Sequence, residues 1–336
     1  MHNNHAPHAE VLGRNPSLEA RAFGRAAPFV IALMLSVVSA SAADKLSVVL
    51  DWFVNPDHAP LVIAKEGGYF ARHGLDVDLI APADPSSPPR LVAAGQADVA
   101  VDYQPSLMLQ VKEGLPLVRF GTLIANPLNC LIVLKDGPVK TLADLKGKKI
   151  GYSVASFQDA YLGAILKSVG LTAADVTLVD VNFNLVTALL SGQVDAAIDG
   201  YRNFELIQLS LEGKPGIAWY PEEHGVPAYD ELIYVASQKL KDDPRLPRFL
   251  AAIEEATAFL ESHPDEGQAM FMKAHPDLND ELNRRAFAAT LPFFARKPAA
   301  LDAARYDGFA TFLKEKKLLD TVPPVNSYAI ELGGTP

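Results

Sequence analysis

Short apolar runs alternate with amphipathic stretches along most of the chain. Runs rich in β-branched residues predict strands at residues 46–50, 77–80, 99–101, 118–123, 149–152, 176–181, 196–198 and 232–236. Helical patterns are predicted between them at residues 57–66, 142–145, 157–169, 185–190 and 203–212. Such alternation is typical of βα units around a mainly parallel sheet, so the fold class is α/β. Beyond residue 236 the pattern becomes almost entirely helical.

One stretch of the pattern occurs twice. Residues 91–101 resemble residues 188–198: in each, a helix ends at a glycine, and a turn with Gln and Asp leads into a strand. Gly95 and Gly192 suit the left-handed position that closes a helix. An aromatic residue follows each strand, Tyr103 in one half and Tyr201 in the other. The repeat predicts two similar α/β lobes.

The order of the elements predicts that the second lobe is inserted into the first. We expect residues 43–135 and 238–336 to form lobe one and residues 136–237 to form lobe two. The chain would then cross between lobes near residues 135–137 and 237–239, and two crossings make a hinge. Because open α/β sheets bind ligands at the carboxyl ends of their strands, two facing lobes predict a cleft there.

The beginning of the chain differs from the rest. Arginines precede an apolar stretch at residues 26–38, and small residues ending in Ala40-Ser41-Ala42 follow. This order is typical of a secretory signal peptide, which we assign to residues 1–42; the alternative is an uncleaved anchor. The signal peptide predicts export to the periplasm.

Composition and charge exclude several classes of protein. The 336 residues carry a net charge of -10, and basic residues are not clustered, which argues against nucleic-acid binding. The single cysteine, Cys130, lies in an apolar run and is more typical of a buried small residue than of a nucleophile. No metal-binding spacing is present, so no metal or cofactor is predicted.

Several motifs resemble those of periplasmic substrate-binding proteins of the thiamine-pyrimidine type. General motifs of this kind are found at residues 50–60, which read Leu-Asp-Trp-Phe-Val-Asn-Pro-Asp-His-Ala-Pro, and at residues 64–70, 74–77, 94–98 and 142–151. More specific ones are Tyr-Gln-Pro-Ser at 103–106, residues 121–130, and Tyr-Arg-Asn-Phe-Glu at 201–205. The resemblance implies the type II periplasmic-binding-protein fold and a ligand such as N-formyl aminomethylpyrimidine. It also implies an ABC permease and its ATPase as partners, and we expect a monomer.

The same superfamily contains an enzyme, hydroxymethylpyrimidine phosphate synthase. That enzyme carries a Lys and a His four residues apart after the third strand, where this chain has Asp102 and Ser106. Its glycine-rich phosphate loop would fall at residues 153–157, which contain neither glycine nor lysine, and its cysteine-rich motif is absent. We therefore expect a binding protein rather than an enzyme.

Eight residues are candidates for contact with a flat, donor-bearing ring. Trp52 follows the first strand and is the candidate for stacking, while Glu205, one turn beyond Tyr201, is the carboxylate that could read a ring amine. A helix start at residues 153–157 offers backbone N–H groups to a carbonyl oxygen. The full candidate set is Trp52, Asn55, His58, Tyr103, Ser153, Phe157, Tyr201 and Glu205.

Other interpretations stay open at this stage. The same fold could bind riboflavin, a sulfonate, nitrate or another aromatic compound, and Arg202 is the cation to consider for an anionic ligand. Asp51 could serve only to order its loop, and His58 could be structural. A synthase-like enzyme and a sensor lobe of a membrane kinase are further alternatives.

Overall fold

The computed structural model describes residues 42–155 and 157–333, without the side chains of residues 157–160. The predicted signal peptide, except for Ala42, lies outside the described residues. Within the described part of the chain, no helix is both long enough and apolar enough to span a bilayer.

The described residues form ten strands. In chain order these are β1 (Asp44–Val49), β2 (Leu75–Ile80), β3 (Val99–Asp102), β4 (Leu117–Ile124), β5 (Asn129–Leu134), β6 (Lys149–Tyr152), β7 (Thr177–Asp180), β8 (Ala196–Tyr201), β9 (Gly216–Trp219) and β10 (Leu232–Ser237). They make two five-stranded sheets with the orders β2-β1-β3-β10-β4 and β7-β6-β8-β5-β9. Each sheet has three parallel strands and two that continue in antiparallel pairing.

Eleven α-helices are found in the same residues. They are α1 (Ala59–Glu66), α2 (Tyr69–Arg72), α3 (Pro88–Ala93), α4 (Gln104–Lys112), α5 (Phe157–Ser168), α6 (Leu185–Leu190), α7 (Glu205–Leu211), α8 (Arg245–Ser262), α9 (Pro264–Ala274), α10 (Glu281–Thr290) and α11 (Ala303–Glu315). The helical character predicted beyond residue 236 is confirmed. One face of α8 is apolar and packs into the core, since Phe249, Ile253, Ala256 and Leu260 are all buried.

The repeat predicted from the sequence corresponds to the centre of each sheet. Gly95 and Gly192 close α3 and α6 with φ of 73° and 71°, in the left-handed region. The strands that follow, β3 and β8, occupy the same middle position in the two sheets. The repeated aspartate also has one function in both lobes, because Asp98 accepts the Ser47 N–H at 2.9 Å and Asp195 accepts the Lys149 N–H at 2.9 Å. Each aspartate thus ties the central strand to its parallel neighbour.

The predicted crossings between lobes were wrong in position. β5 pairs with β8 and β9, so residues 129–134 belong to the second sheet, and β10 pairs with β3 and β4 in the first. The chain therefore crosses at residues 125–128 and 220–231, before β5 and before β10. Each sheet takes its fourth strand from the segment that has just crossed, which the apolar pattern of those strands does not reveal.

Buried aromatic side chains hold α8 against the first sheet. Phe249 stacks on Phe70 with ring centroids 5.4 Å apart, and meets Tyr234 edge-on at 5.0 Å. Two strands of the first sheet, β4 and β10, are buried along their whole length. This rigid lobe fixes the ends of β1 and β3, from which half of the site is built.

Candidate functional site

A cavity lies between the two lobes, at the carboxyl ends of β1, β3 and β8. It is narrow, and about 450 Å³ of space not filled by protein atoms, part of it open to solvent, lies between its walls. The first lobe contributes Asp51, Trp52, Asn55, Asp57 and Tyr103. The second lobe and the crossing that enters it contribute Asn129, Val154, Asp199, Tyr201, Phe204 and Glu205. We refer to it as the interlobe cavity.

The first-lobe wall is a hydrogen-bonded loop that follows β1. Asp51 accepts the Tyr103 hydroxyl at 2.9 Å and contacts His58 Nε2 at 2.9 Å. His58 is fully buried, and its Nδ1 accepts the Asn55 N–H at 3.3 Å. This pattern fits a neutral imidazole with its proton on Nε2. Asp51 therefore orders the loop, and His58 lies behind Asp51 rather than in the cavity wall.

The loop continues into the 3-10 helix Pro56–His58, which Asn55 caps. The Asn55 side chain accepts the Asp57 N–H at 2.8 Å. Asp57, at the start of the helix predicted for residues 57–66, is therefore not the capping residue. Asp57 is instead buried against the cavity, where its Oδ1 accepts from Asn203 and Thr290.

The second-lobe wall depends on Asp199, which has a left-handed backbone with φ of 71°. Its carboxylate accepts the N–H groups of Ser153 and Val154 at 2.9 and 3.1 Å and the Asn129 amide at 3.3 Å. These three bonds hold a conformation that is unfavourable for a residue with a side chain. Two of the backbone donors that we expected to be open to a ligand at this helix start, those of Ser153 and Val154, are thus occupied by Asp199.

Tyr201 and Glu205 form the part of the wall nearest the hinge. Glu205 Oε2 accepts the Tyr201 N–H at 2.6 Å, and the backbone N–H of Glu205 also bonds to this carboxylate. The Tyr201 hydroxyl donates to Glu231 at 3.3 Å. Glu231 also accepts the N–H groups of Leu128 and Asn129 at 2.5 and 2.9 Å, so one carboxylate connects the two crossings and orients Tyr201.

An aromatic cluster lies beside the cavity. The Trp52 ring meets Phe183 edge-on with centroids 4.7 Å apart, and Phe53 lies 4.3 Å from Phe183. Trp52 belongs to the first lobe and Phe183 to the second. The cluster therefore joins the lobes while Trp52 still lines the cavity.

Polar contacts also cross between the lobes. Asn203, from the loop before α7, donates to Asp57 at 2.6 Å and to Thr290 of α10 at 2.7 Å. All three side chains are at least nine-tenths buried. A weaker contact joins Ser86 to the Ala155 N–H at 3.3 Å. We call the trio of Asn203, Asp57 and Thr290 the interlobe latch.

The interlobe cavity is acidic. Burial raises the pKa of Asp57 and Asp199 to about 6 and that of Glu205 to about 7. Among the described residues that line it, none is a Lys, Arg or His. Arg202 does not line it: the guanidinium pairs with Glu222 at 2.7 Å and stacks over Tyr220. No group of three or more His, Cys, Asp or Glu side chains in the described part is arranged to hold a metal ion.

The structure brings together five of the eight candidate residues, Trp52, Asn55, Tyr103, Tyr201 and Glu205. His58 and Ser153 do not line the interlobe cavity, and the Phe157 side chain lies outside the described residues. Besides Asp51, the cavity is lined by five residues that were not candidates: Asp57, Asn129, Val154, Asp199 and Phe204. The signal for Asp199 and Asn129 was present, since each is a polar residue within or beside a strand of buried apolar residues.

Known proteins are similar in sequence to most of this chain. It is 51% identical over 305 residues, covering 90% of this chain and 97% of the relative, to a putative thiamine biosynthesis protein of Haemophilus influenzae. It is 31% identical over 258 residues (76% and 78% covered) to the formylaminopyrimidine-binding protein of Halalkalibacterium halodurans. It is 28% identical over 266 residues (75% and 77%) to a 4-amino-5-hydroxymethyl-2-methylpyrimidine phosphate synthase of Aspergillus parasiticus.

Solved structures share the architecture. The alkanesulfonate-binding protein SsuA of Xanthomonas axonopodis aligns with a TM-score of 0.69 at 17% identity, over 87% of this chain and 99% of that one. The periplasmic nitrate-binding protein NrtA of Synechocystis aligns with a TM-score of 0.65 at 15% identity, over 86% of each chain. These likenesses establish the periplasmic-binding-protein fold, as expected. A family model described as NMT1/THI5 like matches residues 55–267, and the chain belongs to that family.

Proposed function

We propose that this protein is a solute-binding protein that captures a thiamine-derived pyrimidine, formylaminopyrimidine, in the interlobe cavity. The observation that carries the proposal is the composition of the cavity wall, where aromatic rings and hydrogen-bond acceptors occur together. The relative named for formylaminopyrimidine binding supports the same ligand.

The wall matches the chemistry of such a ring. Trp52, Tyr103, Tyr201 and Phe204 offer aromatic surface, and an aromatic pair contributes about 0.5–1.5 kcal/mol beyond the area it buries. The Glu205 carboxylate can accept from the exocyclic amine through a charge-assisted hydrogen bond. Closure of the lobes excludes water and strengthens these polar contacts.

The wall does not match a small anion. A sulfonate or nitrate would lie beside Asp51, Asp57, Asp199 and Glu205 without a cation among the described lining residues. The charges in the cavity therefore favour an uncharged or basic ligand over the anions that proteins of the same fold bind.

We propose a transport role rather than catalysis. Asp102 and Ser106 occupy the positions at which hydroxymethylpyrimidine phosphate synthase has a Lys and a His. Neither Asp102 nor Ser106 lines the cavity. After export to the periplasm, the closed monomer would deliver its ligand to an ABC permease and its ATPase for thiamine salvage. The lobes would rotate about residues 125–128 and 220–231.

The first prediction concerns affinity for formylaminopyrimidine. Trp52→Ala and Glu205→Ala should each weaken binding by at least tenfold in titration calorimetry, because one removes a ring face and the other the open carboxylate. Trp219→Phe and Glu212→Gln are matched controls, since neither Trp219 nor Glu212 lines the cavity. Unchanged affinity in both cavity variants would overturn the proposed site.

A competition assay tests the ligand class. Nitrate and an alkanesulfonate should fail to displace formylaminopyrimidine even at a large excess. Displacement by either anion would show that the charge argument is wrong.

A further inference from the structure

The interlobe cavity offers many acceptors and few donors. Asn129 Oδ1 is buried without a partner in the described part of the chain, and Asp57 and Glu205 bring two carboxylates to the same wall. Most donors are already engaged, since the Tyr103 and Tyr201 hydroxyls donate to Asp51 and Glu231. The Asn55 and Asn129 amides donate to the Phe53 carbonyl and to Asp199, and Trp52 adds its indole N–H to the lining. A ligand must therefore bring the donors itself.

A neutral aminopyrimidine satisfies this wall only in part. Its exocyclic amine donates, but its two ring nitrogens are acceptors in the free base. A ring nitrogen facing Glu205 Oε1 would set two acceptors against each other, which is unfavourable in a closed space. One added proton between them turns the contact into a hydrogen bond.

We propose that the complex holds one proton from solvent between a ring nitrogen of the pyrimidine and the Glu205 carboxylate, so that the cavity selects weakly basic nitrogen heterocycles. The buffer loses this proton. The ring nitrogen or the Glu205 carboxylate gains it as an N–H or O–H bond, and no other covalent bond changes. The inference rests on the proposed function and adds the property by which the ligand class is recognised.

The surroundings of Glu205 favour retention of a proton. Burial and, to a smaller extent, the nearby Asp57 carboxylate raise its pKa to about 7. β8 brings Asp199 and Tyr201 to the same wall and Asp51 also lines it, while Cys130 and Glu231 are buried nearby. α6 and β9 contribute no titratable side chain to the face of α7, and the α10 charges Glu281, Arg284 and Arg285 pair with one another on the surface. Arg202 is directed to Glu222.

The sign of the pH dependence follows. Above about pH 7 the free Glu205 has lost its proton, so binding must take one up, and affinity falls by up to tenfold for each unit of rising pH. Near pH 6 the free carboxyl already holds its proton, and uptake becomes small.

The second prediction is therefore proton uptake by the wild-type protein. Titration calorimetry of formylaminopyrimidine in buffers of different ionisation enthalpy at pH 8.5 should give close to one proton taken up per ligand. Affinity should fall more than tenfold between pH 7.5 and pH 9. Binding without proton uptake, at constant affinity, would overturn the inference while leaving the proposed function in place.

Glu205→Gln separates this mechanism from a general pH effect. The Gln oxygen can accept the Tyr201 N–H, which leaves its NH₂ group to donate to the neutral ring nitrogen. We expect Glu205→Gln to bind with no proton uptake and with less than twofold change in affinity over the same pH range. The control Glu212→Gln, the same change at the exposed residue that caps the end of α7, should keep the wild-type slope.

Two results from the variants would contradict the inference. One is a Glu205→Gln protein that keeps the wild-type pH slope, since the proton would then be held elsewhere. The other is a folded Glu205→Gln protein that no longer binds. Failure of the wild-type protein to bind at any pH would instead reject the proposed function, and the inference with it.

Discussion

Asn129 holds an unused acceptor against the interlobe cavity. It is fully buried, and its Nδ2 donates to Asp199 at 3.3 Å, which turns Oδ1 away from that carboxylate. Oδ1 has no partner in the described part of the chain. Because a buried polar atom without a partner is unfavourable, a ligand donor at this point would gain a full hydrogen bond.

The third prediction is that Asn129→Ala weakens binding of formylaminopyrimidine by about five- to tenfold, the value of one neutral hydrogen bond of about 1 kcal/mol. Calorimetry measures the affinity, and circular dichroism verifies the fold. Asn129→Asp should weaken binding at least as much at neutral pH, because it adds a carboxyl beside Asp199. Equal affinity of wild type and Asn129→Ala would remove Asn129 from the binding wall.

The residues that could be predicted from sequence are those placed directly by a strand end. Trp52, Tyr103 and Tyr201 each follow a strand, and the repeat places the two tyrosines at matching positions. For His58 and Ser153 the sequence does not reveal whether the side chain faces the cavity. The orientation of His58 depends on the buried Asp51, and that of Ser153 on a partner far along the chain. Ser153 donates its N–H to Asp199, 46 residues away, and no local pattern reveals such a contact.

At the scale of elements, the loop before α7 joins the lobes through the interlobe latch. Asn203 donates to Asp57 of the first lobe and to Thr290 at the end of α10, so it connects three elements with one side chain. Buried hydrogen bonds of this kind hold a closed arrangement more firmly than exposed contacts.

The fourth prediction is that Asn203→Ala favours the open form. Loss of two buried hydrogen bonds should lower ligand affinity by about tenfold, mainly through faster dissociation in stopped-flow fluorescence. Ser86→Ala removes an exposed contact between the same lobes and should change affinity by less than about twofold. If the two variants behave alike, the latch has no special role in closure.

The elements themselves were predictable where periodicity and turn residues agreed. β6 was predicted with its observed bounds, and the matching turns at Gly95 and Gly192 located β3 and β8. The exchange of β5 and β10 between sheets was missed, because strand pairing is decided by which edge is free after the chain crosses. An apolar run such as residues 130–134 fits either sheet equally well.

At the scale of the whole molecule, buried carboxyls make stability depend on pH. Burial raises the pKa of five groups to about 6 or 7: Asp57, Asp102, Asp199, Glu205 and Glu231. Their unfolded values lie near 4, so between about pH 4 and pH 7 the folded state binds more protons than the unfolded state. The free energy of unfolding therefore falls as the pH rises through this window.

The carboxyls with lowered pKa make the free energy of unfolding depend on pH only in more acidic solution. Asp144, Asp175, Asp243 and Glu255 accept hydrogen bonds that lower their pKa below the usual range. They stabilise the fold above their unfolded pKa, and this contribution is lost only in more acidic solution. They do not offset the loss expected between pH 5 and pH 8.

The fifth prediction is a thermal midpoint that is higher at pH 5 than at pH 8 by at least about 3 °C, the shift expected for ~1 kcal/mol in a domain of this size. Scanning calorimetry of the ligand-free protein at constant ionic strength measures it.

Asp102 lies outside the interlobe cavity, and its Oδ2 has no hydrogen-bond partner in the described part of the chain. Asp102→Asn should therefore raise the midpoint at pH 8 and leave it nearly unchanged at pH 5, whereas the exposed control Asp242→Asn should do neither. A midpoint that is constant or rises between pH 5 and pH 8 would mean that these carboxyls keep ordinary pKa values and that the acidic cavity stays hydrated.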